Sequence, residues 1–253
     1  MRKRYKILGL IPSRLRSKRL AYKSLLPINN IPLVVHSYKR AKMSKYLDDV
    51  LICCDDKKIL TEAKKHGAKA ILTSIHHNNG TERIFEGYLK MKKKYDFIVD
   101  IQGDEPLISP NHIDKVIDHH IKNSNVDIIL PVLKTHSINN TNVIKVVTNK
   151  NKEVLYLSRA NIPFEFKKKF TNFRKHLSIV SFKPKALEKF SISKKTQLEK
   201  IEDIELLRAL ELGLKIKTLD LKGDSFSVDV LDDYEKAKRV MKKDKFFKIY
   251  NDN

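Results

Sequence analysis

The sequence predicts an α/β protein: a mixed, mostly parallel sheet flanked by helices, with a smaller antiparallel lobe. Two observations predict the main body. Short apolar runs of strand length alternate with amphipathic stretches, the order of strands and crossover helices in a parallel sheet. Polar clusters follow directly on several of those runs, at the strand ends where open sheets bind ligands. A third observation predicts the lobe: in the middle of the chain several apolar runs succeed one another with no helical pattern between them.

Taken in order, Lys6-Ile7-Leu8-Gly9-Leu10-Ile11 reads as the first strand. A basic loop follows, then a helix over about 32–41, where Pro32 suits a first turn whose N–H groups stay unpaired anyway. Val50-Leu51-Ile52-Cys53-Cys54 is the next buried strand. A helix over about 57–66 ends at Gly67, which can turn left-handed without strain. A third strand covers 68–72. After the Asn78-Asn79-Gly80 turn, Ile84, Tyr88 and Met91 recur at helical spacing, and Phe97-Ile98-Val99-Asp100-Ile101 forms a central strand. Strands are expected over 126–132, 143–148, 154–157 and 177–182, then a helix over about 198–212, a strand over 216–221 and a helix over about 231–242. With no internal repeat or low-complexity linker, a single domain over 1–253 is expected, about 133–182 supplying the smaller lobe.

A length of 253 residues and 41% hydrophobic content suffice for a buried core and exclude a disordered tail. The 52 Lys and Arg against 30 Asp and Glu give a formal charge of +22, which raises polyanions as partners. Yet the lysines spread over helices and loops, in runs such as Lys92-Lys93-Lys94 and Lys167-Lys168-Lys169, with no nucleic-acid motif to organise them. A solvated basic surface accounts for them, and no specific nucleic acid is expected. Cys53 and Cys54, the only cysteines, are adjacent in an apolar run, which excludes a long-range disulfide within one chain and suits a reducing cytoplasm. The basic start Met1-Arg2-Lys3-Arg4-Tyr5 leads into too short an apolar stretch for a signal peptide. No segment approaches the ~20 apolar residues of a membrane span, so no membrane insertion is expected. No histidine or cysteine cluster suggests zinc.

Three places carry chemistry. The first strand runs into Ser13-Arg14-Leu15-Arg16-Ser17-Lys18-Arg19-Leu20-Ala21-Tyr22-Lys23, five cations in the ten residues 14–23. Arg offers a planar donor fork and Lys a mobile point charge, and both neutralise phosphate oxygens. The loop lacks the glycines and Lys-Ser/Thr ending of a Walker-type loop. Gln102-Gly103-Asp104-Glu105-Pro106 follows the central strand, and a carboxylate there suits magnesium, which takes one or two protein carboxylates and completes its shell with water and substrate phosphates. Asp229, in Ser227-Val228-Asp229 before the helix over 231–242, is either a helix cap or a second carboxylate for the same ion.

These pieces stand in the order of a known family. The run Leu10-Ile11-Pro12-Ser13-Arg14 through Ser17-Lys18-Arg19-Leu20 and Lys23 resembles the signature loop of the 3-deoxy-manno-octulosonate (KDO) cytidylyltransferases. Thr73 with Gly80-Thr81-Glu82-Arg83, the Gln102-Gly103-Asp104-Glu105-Pro106 motif, Leu155-Tyr156-Leu157-Ser158-Arg159 with Ile162-Pro163, Arg174 with His176, Leu198-Glu199 through Arg208, and Val228-Asp229 follow, over roughly 6–240. The resemblance implies a nucleotide-diphospho-sugar transferase-like fold and transfer of CMP from CTP to the anomeric hydroxyl of KDO or a close acidic 3-deoxy sugar, with release of pyrophosphate, for lipopolysaccharide or surface glycan synthesis. It implies Lys23, Arg14 and Asp104 as catalytic. Arg14, Arg19, Lys23, Thr73, Gly80, Thr81 and Arg83 would meet the nucleotide, Gln102, Arg159, His176 and Glu205 the sugar, and Asp104 and Asp229 a Mg2+ ion. It also implies a cytoplasmic homodimer, joined around 162–177.

The chain departs from the family's pattern at four places. Ala21-Tyr22-Lys23 stands where Pro-Gly-Lys is usual, Val180 where a tyrosine is usual, Leu206 where a glutamine is usual, and Val230-Leu231 where Thr-Pro is usual. Losing the glycine removes backbone freedom beside the phosphate loop. Losing two polar groups on the sugar side implies an acceptor with different polar substituents, such as an amino-substituted KDO. Losing Thr-Pro weakens the cap of the helix over 231–242. Two other readings stay open at the level of sequence: a cytidylyltransferase for another nonulosonic acid, such as a sialic-acid relative, and a basic nucleic-acid-binding protein without catalysis.

Overall fold

The computed structural model describes residues 5–17, 19–137, 139–223 and 225–251. The basic start Met1-Arg2-Lys3-Arg4 and Lys18 of the cationic loop lie outside the described residues. In chain order the elements are β1 (Ile7–Ser13), β2 (Pro27–Ile28), β3 (Ile31–Pro32), α1 (Leu33–Lys42), β4 (Asp49–Cys54), α2 (Lys57–Lys65), β5 (Ala70–Leu72), α3 (Gly80–Lys90), β6 (Phe97–Ile101), α4 (Pro110–Lys122) and β7 (Ile128–Lys134). There follow β8 (Lys145–Thr148), β9 (Val154–Ser158), β10 (Arg174–His176), β11 (Ile179–Phe182), α5 (Pro184–Ile192), α6 (Gln197–Glu202), α7 (Glu205–Glu211), β12 (Ile216–Leu221), α8 (Leu231–Met241) and α9 (Lys245–Asn251). They divide into two compact units, Met1–Asp114 with Ser225–Asn253, and Lys115–Asp224.

In the first unit, β1 pairs in parallel with β4 on one side and β6 on the other, and β4 pairs in parallel with β5. The chain therefore builds outward from β1 in one direction, then returns to its other side. That reversal of strand order opens a crevice at the strands' carboxyl ends, the place where such sheets take ligands. β1 is buried at all seven residues, as a strand covered on both faces must be. Helix α3 comes close to β4 only because residue 87 is glycine: a Cβ there would stand 2.3 Å from Cys53 Sγ. Both cysteines are free and buried.

In the second unit, β7 is central. It pairs in parallel with β12, while β11 and β10 take successive stretches of it antiparallel, and β8 and β9 extend the antiparallel part beyond β10. The mostly parallel sheet and the antiparallel lobe are both present. Three helices escaped the sequence reading: α4, α5 and α9. The first two carry the signal, Pro at or near the first position and apolar residues three and four apart: Ile113, Val116 and Ile117, then Ala186, Leu187 and Phe190, all buried. The short β2, β3 and β10 were also unseen. The single helix expected over 198–212 is two, because Asp203 turns left-handed at φ +51° and ends α6. Val230 gives α8 no side-chain cap, as the loss of Thr-Pro leads one to expect. Asp233 supplies only the other half of a capping box, reaching back to accept from the backbone N–H of Asp229 at 3.1 Å and of Val230 at 3.2 Å.

Each unit buries one histidine completely. His36 Nδ1 lies 2.7 Å from Tyr250 Oη and its Nε2 2.9 Å from Ile28 O, and His120 Nδ1 lies 2.7 Å from Ser181 Oγ. Burial drives both rings down to about 4 from 6.5. A ring that stays neutral in the fold but protonates when unfolded stabilises fully above pH 6.5, and that stability drains as pH falls from 6.5 to about 4. At the limit this amounts to ~3 kcal/mol per histidine. Thermal unfolding at pH 7 and pH 5 checks it: the midpoint should fall by several degrees at pH 5, and the fall should shrink in His36→Gln. Equal midpoints would contradict the assignment.

Candidate active site

The site grows from the loop after β1. Asp55, at the end of β4, accepts from the backbone N–H of Leu15 with Oδ1 at 2.9 Å and from Arg83 Nη2 with Oδ2 at 3.4 Å. Arg83, rooted in α3 and 4% exposed, gives its other terminal donor to Thr73 Oγ1 at 2.8 Å and Ser74 O at 3.0 Å, and Thr73 donates to Cys54 O at 3.1 Å. Thr73 and Arg83 thus brace the entry of the cationic loop from beneath. Asp55 was missed, although it follows the buried strand β4 directly, closer than Asp104 stands to the end of β6.

The two carboxylates singled out in the sequence meet. Lys23 Nζ lies 2.7 Å from Asp104 Oδ2 and 3.0 Å from Asp229 Oδ1, and Arg19 Nη2 lies 2.9 Å from the same Asp229 oxygen. Apolar packing brings Asp229 there: Val228 is buried with Ile28, Leu33, Ala237 and Met241, and its N–H bonds Asp104 O at 2.9 Å. Beside them Ser225 Oγ donates to Glu105 Oε2. Burial works to lower the affinity of Lys23 for its proton, but the two carboxylates outweigh it and the value ends raised. Burial likewise works to raise Asp229, and Lys23, Arg19 and Ser227 outweigh it, holding it below the usual range.

Close backbone approach completes this edge. A Cβ on residue 103 would stand 2.7 Å from Pro12 O, so only glycine lets the β6 exit pass β1. Gly80 opens α3, and a Cβ on it would stand 3.2 Å from Pro12 Cγ and 3.5 Å from Gln102 Nε2. Thr81 beside it is 4% exposed. Asn79 caps the helix by accepting from the Glu82 N–H at 2.8 Å. Gln102 donates its amide to both oxygens of Asp100, at 3.1 and 3.0 Å. Arg14 is exposed, and among the described residues its guanidinium pairs with no acidic group. One edge of the first unit therefore gathers Arg14, Arg19 and Lys23, two carboxylates and a helix N-terminus, the elements of a polyphosphate site with a cation.

Tyr22 shows that this loop uses what a glycine supplies: it sits left-handed, at φ +51° and ψ 29°, and is 54% exposed. A side chain there costs roughly 1 kcal/mol. Tyr22→Gly should hold or raise the urea midpoint, whereas Tyr22→Val should lower stability by ~1 kcal/mol. The reverse ranking would show that the loop does not need this conformation.

Arg159, His176 and Glu205 lie in the second unit. Arg159, just past β9, donates from Nε to Glu202 O at 2.7 Å, from Nη1 to Thr141 O at 2.9 Å and from Nη2 to Asp203 O at 3.0 Å. His176 ends β10, and its Nδ1 is buried without a hydrogen-bond partner. Burial pulls its ring down to about 4, and Arg159 adds to the effect, so it is neutral at pH 7. Glu205 opens α7, half-buried. Val180 and Leu206 are each 6% exposed. Among the described residues no helix is long and apolar enough to cross a membrane.

Comparison with known proteins narrows the chemistry. The family described as cytidylyltransferase matches residues 8–216. The 3-deoxy-manno-octulosonate cytidylyltransferase of Chloroherpeton thalassium is 38% identical over 240 residues, covering 92% of this chain and 97% of its own length. That of Fusobacterium nucleatum is 38% identical over 240 residues, covering 94% and 97%. Among solved structures, CMP:2-keto-3-deoxy-manno-octonic acid synthetase complexed with CTP superposes with a TM-score of 0.89 at 28% identity, over 94% of this chain and 99% of that one.

Proposed function

This chain belongs to the cytidylyltransferase family, among the 3-deoxy-manno-octulosonate cytidylyltransferases, and from that premise we propose that it transfers CMP from CTP to the anomeric hydroxyl of KDO. The observation that carries the reading is the convergence of Asp104, Asp229, Lys23 and Arg19 on one spot at the carboxyl edge of a parallel sheet. The hydroxyl oxygen forms a bond to the α-phosphorus, the bond from that phosphorus to the β-phosphate bridging oxygen breaks, pyrophosphate leaves, and the hydroxyl proton passes to solvent. Lys23, Arg14 and Arg19 bind and orient the triphosphate, so that most of the acceleration comes from position and neutralised charge. In the first unit Gly80 and Thr81 are assigned to the nucleotide, with Thr73 and Arg83 holding its loop; in the second unit Arg159, His176 and Glu205 are assigned to the sugar.

Magnesium suits the donor set. Asp104 and Asp229 offer hard oxygens that already converge on one cation, and their number matches the one or two carboxylates the ion takes beside phosphate. When bound, it would neutralise charge on the phosphates. A cytoplasmic location and a role in lipopolysaccharide or surface glycan synthesis are part of the same proposal. A homodimer joined around 162–177 is supported by Phe164 and Phe166, 83% and 82% exposed. The apolar Val180 and Leu206 support an acceptor with altered polar substituents, such as an amino-substituted KDO. The test is pyrophosphate release with magnesium, offering each nucleoside triphosphate with KDO, amino-substituted KDO and a sialic acid. Release that depends on both CTP and an octulosonate is expected; none with any sugar would overturn the reading, and preference for unmodified KDO would remove the altered acceptor.

A further inference from the structure

In the second unit two side chains that the sequence reading passed over grip the backbone of Arg159 from both sides. Glu202 Oε2 accepts the Arg159 N–H at 3.0 Å while its Oε1 takes Ser158 Oγ at 2.6 Å. Lys145 Nζ donates to Arg159 O at 2.7 Å and to Asn140 O at 2.9 Å. Lys145 is completely buried, and its two hydrogen bonds go to carbonyls rather than to a carboxylate. Burying an ammonium on such terms is costly, which marks the position as one where the charge has a use.

The guanidinium is held as firmly as the backbone. Carbonyls at helix ends lack intrahelical partners, and the left-handed turn at Asp203 presents those of residues 202 and 203 to Arg159. Three of its five N–H groups are thereby used, with Thr141 O taking the third. One N–H on each terminal nitrogen remains, two donors that a carboxylate can take together. Lys145 and Arg159 are set against Glu202: burial lowers the affinity of Lys145 for its proton, Glu202 opposes that, and the His176 ring beside Arg159 is neutral.

We propose that Lys145 and Glu202 are positioning residues that clamp Arg159, so that its two remaining N–H groups stand ready for the carboxylate of the acidic sugar and discriminate it from an uncharged group. This rests on the assignment of Arg159 to the sugar, and the experiment separates the two. KM and kcat are measured for KDO, for its C1 carboxamide and for CTP, in the wild type and in Lys145→Met, Lys145→Arg, Glu202→Gln and Arg159→Ala. Arg159→Ala should raise KM for KDO and erase the preference for carboxylate over carboxamide. Lys145→Met and Glu202→Gln should each raise KM for KDO about 10-fold or more and shrink that preference, with KM for CTP within about twofold; Lys145→Arg should restore part of it. A merely structural role would lower stability and leave the carboxylate preference intact. If Arg159→Ala leaves the preference unchanged, the sugar assignment fails. If Arg159→Ala abolishes it while both Lys145→Met and Glu202→Gln retain it, the clamp fails. Should Lys145→Met not fold, Glu202→Gln carries the same decision alone.

Discussion

Asp104→Asn lowers kcat by roughly 10²–10³-fold and leaves the unfolding midpoint nearly unchanged, because the two consequences of losing this carboxylate differ in size. Asp104 and Asp229 have side chains 28% and 24% exposed, and an ion pair so placed contributes little to stability, about 0–1 kcal/mol. In the reaction the same charge acts where phosphate charge develops, and losing one such group costs orders of magnitude. Lys23→Met loses turnover similarly, but by another route. It removes the cation that the two carboxylates share, so the ligand-free protein should also lose some stability through their repulsion. Steady-state pyrophosphate release beside thermal unfolding measures both. Turnover above about a tenth of wild type in Asp104→Asn would remove Asp104 from the reaction.

Arg208→Met has its effect on stability instead. The guanidinium is wholly buried, forms a fork with both oxygens of Glu199 at 2.6 Å each, donates to Ser193 O at 3.0 Å and lies 4.3 Å from the centre of the Phe190 ring. These bonds tie the end of α5 to α6 and α7. Removing one partner strands the other's charge in the interior, which costs ~3–5 kcal/mol. Replacing both with apolar groups strands nothing, so Arg208→Met with Glu199→Met should recover much of the loss. Urea denaturation of the two single variants and the double decides it. A loss below ~1 kcal/mol in Arg208→Met, or a double variant as unstable as the worse single, would show that the pair is not the tie it looks.

Most strands could be read because each answers to a local rule. Ile7 to Ile11 and Phe97 to Val99 are unbroken apolar runs, and such runs become strands buried on both faces. The same rule placed Asp104 at a ligand edge. Applied at the end of β4 it finds Asp55, and the helical periodicity of 110–122 marks α4. Those were available signals left unused. The break at Asp203 was different in kind, since nothing in the run Lys200-Ile201-Glu202-Asp203-Ile204 forbids a helix, and the left-handed turn is held by contacts from elsewhere, with Arg159 taking the carbonyls on either side.

The sequence by itself determined the fold class, the family, and the residue types at the reacting edge, because apolar period and strand-end chemistry are properties of neighbours along the chain. Only the tertiary structure decided which charges share a space. Asp229 meets Asp104, 125 positions earlier in the chain, because Val228 is buried in a distant core and bonds the Asp104 carbonyl. Lys145 and Glu202 meet at Arg159 because β8, β9 and the end of α6 converge there. Such meetings are set by apolar burial elsewhere in the chain, which is why no local pattern around these residues announces them.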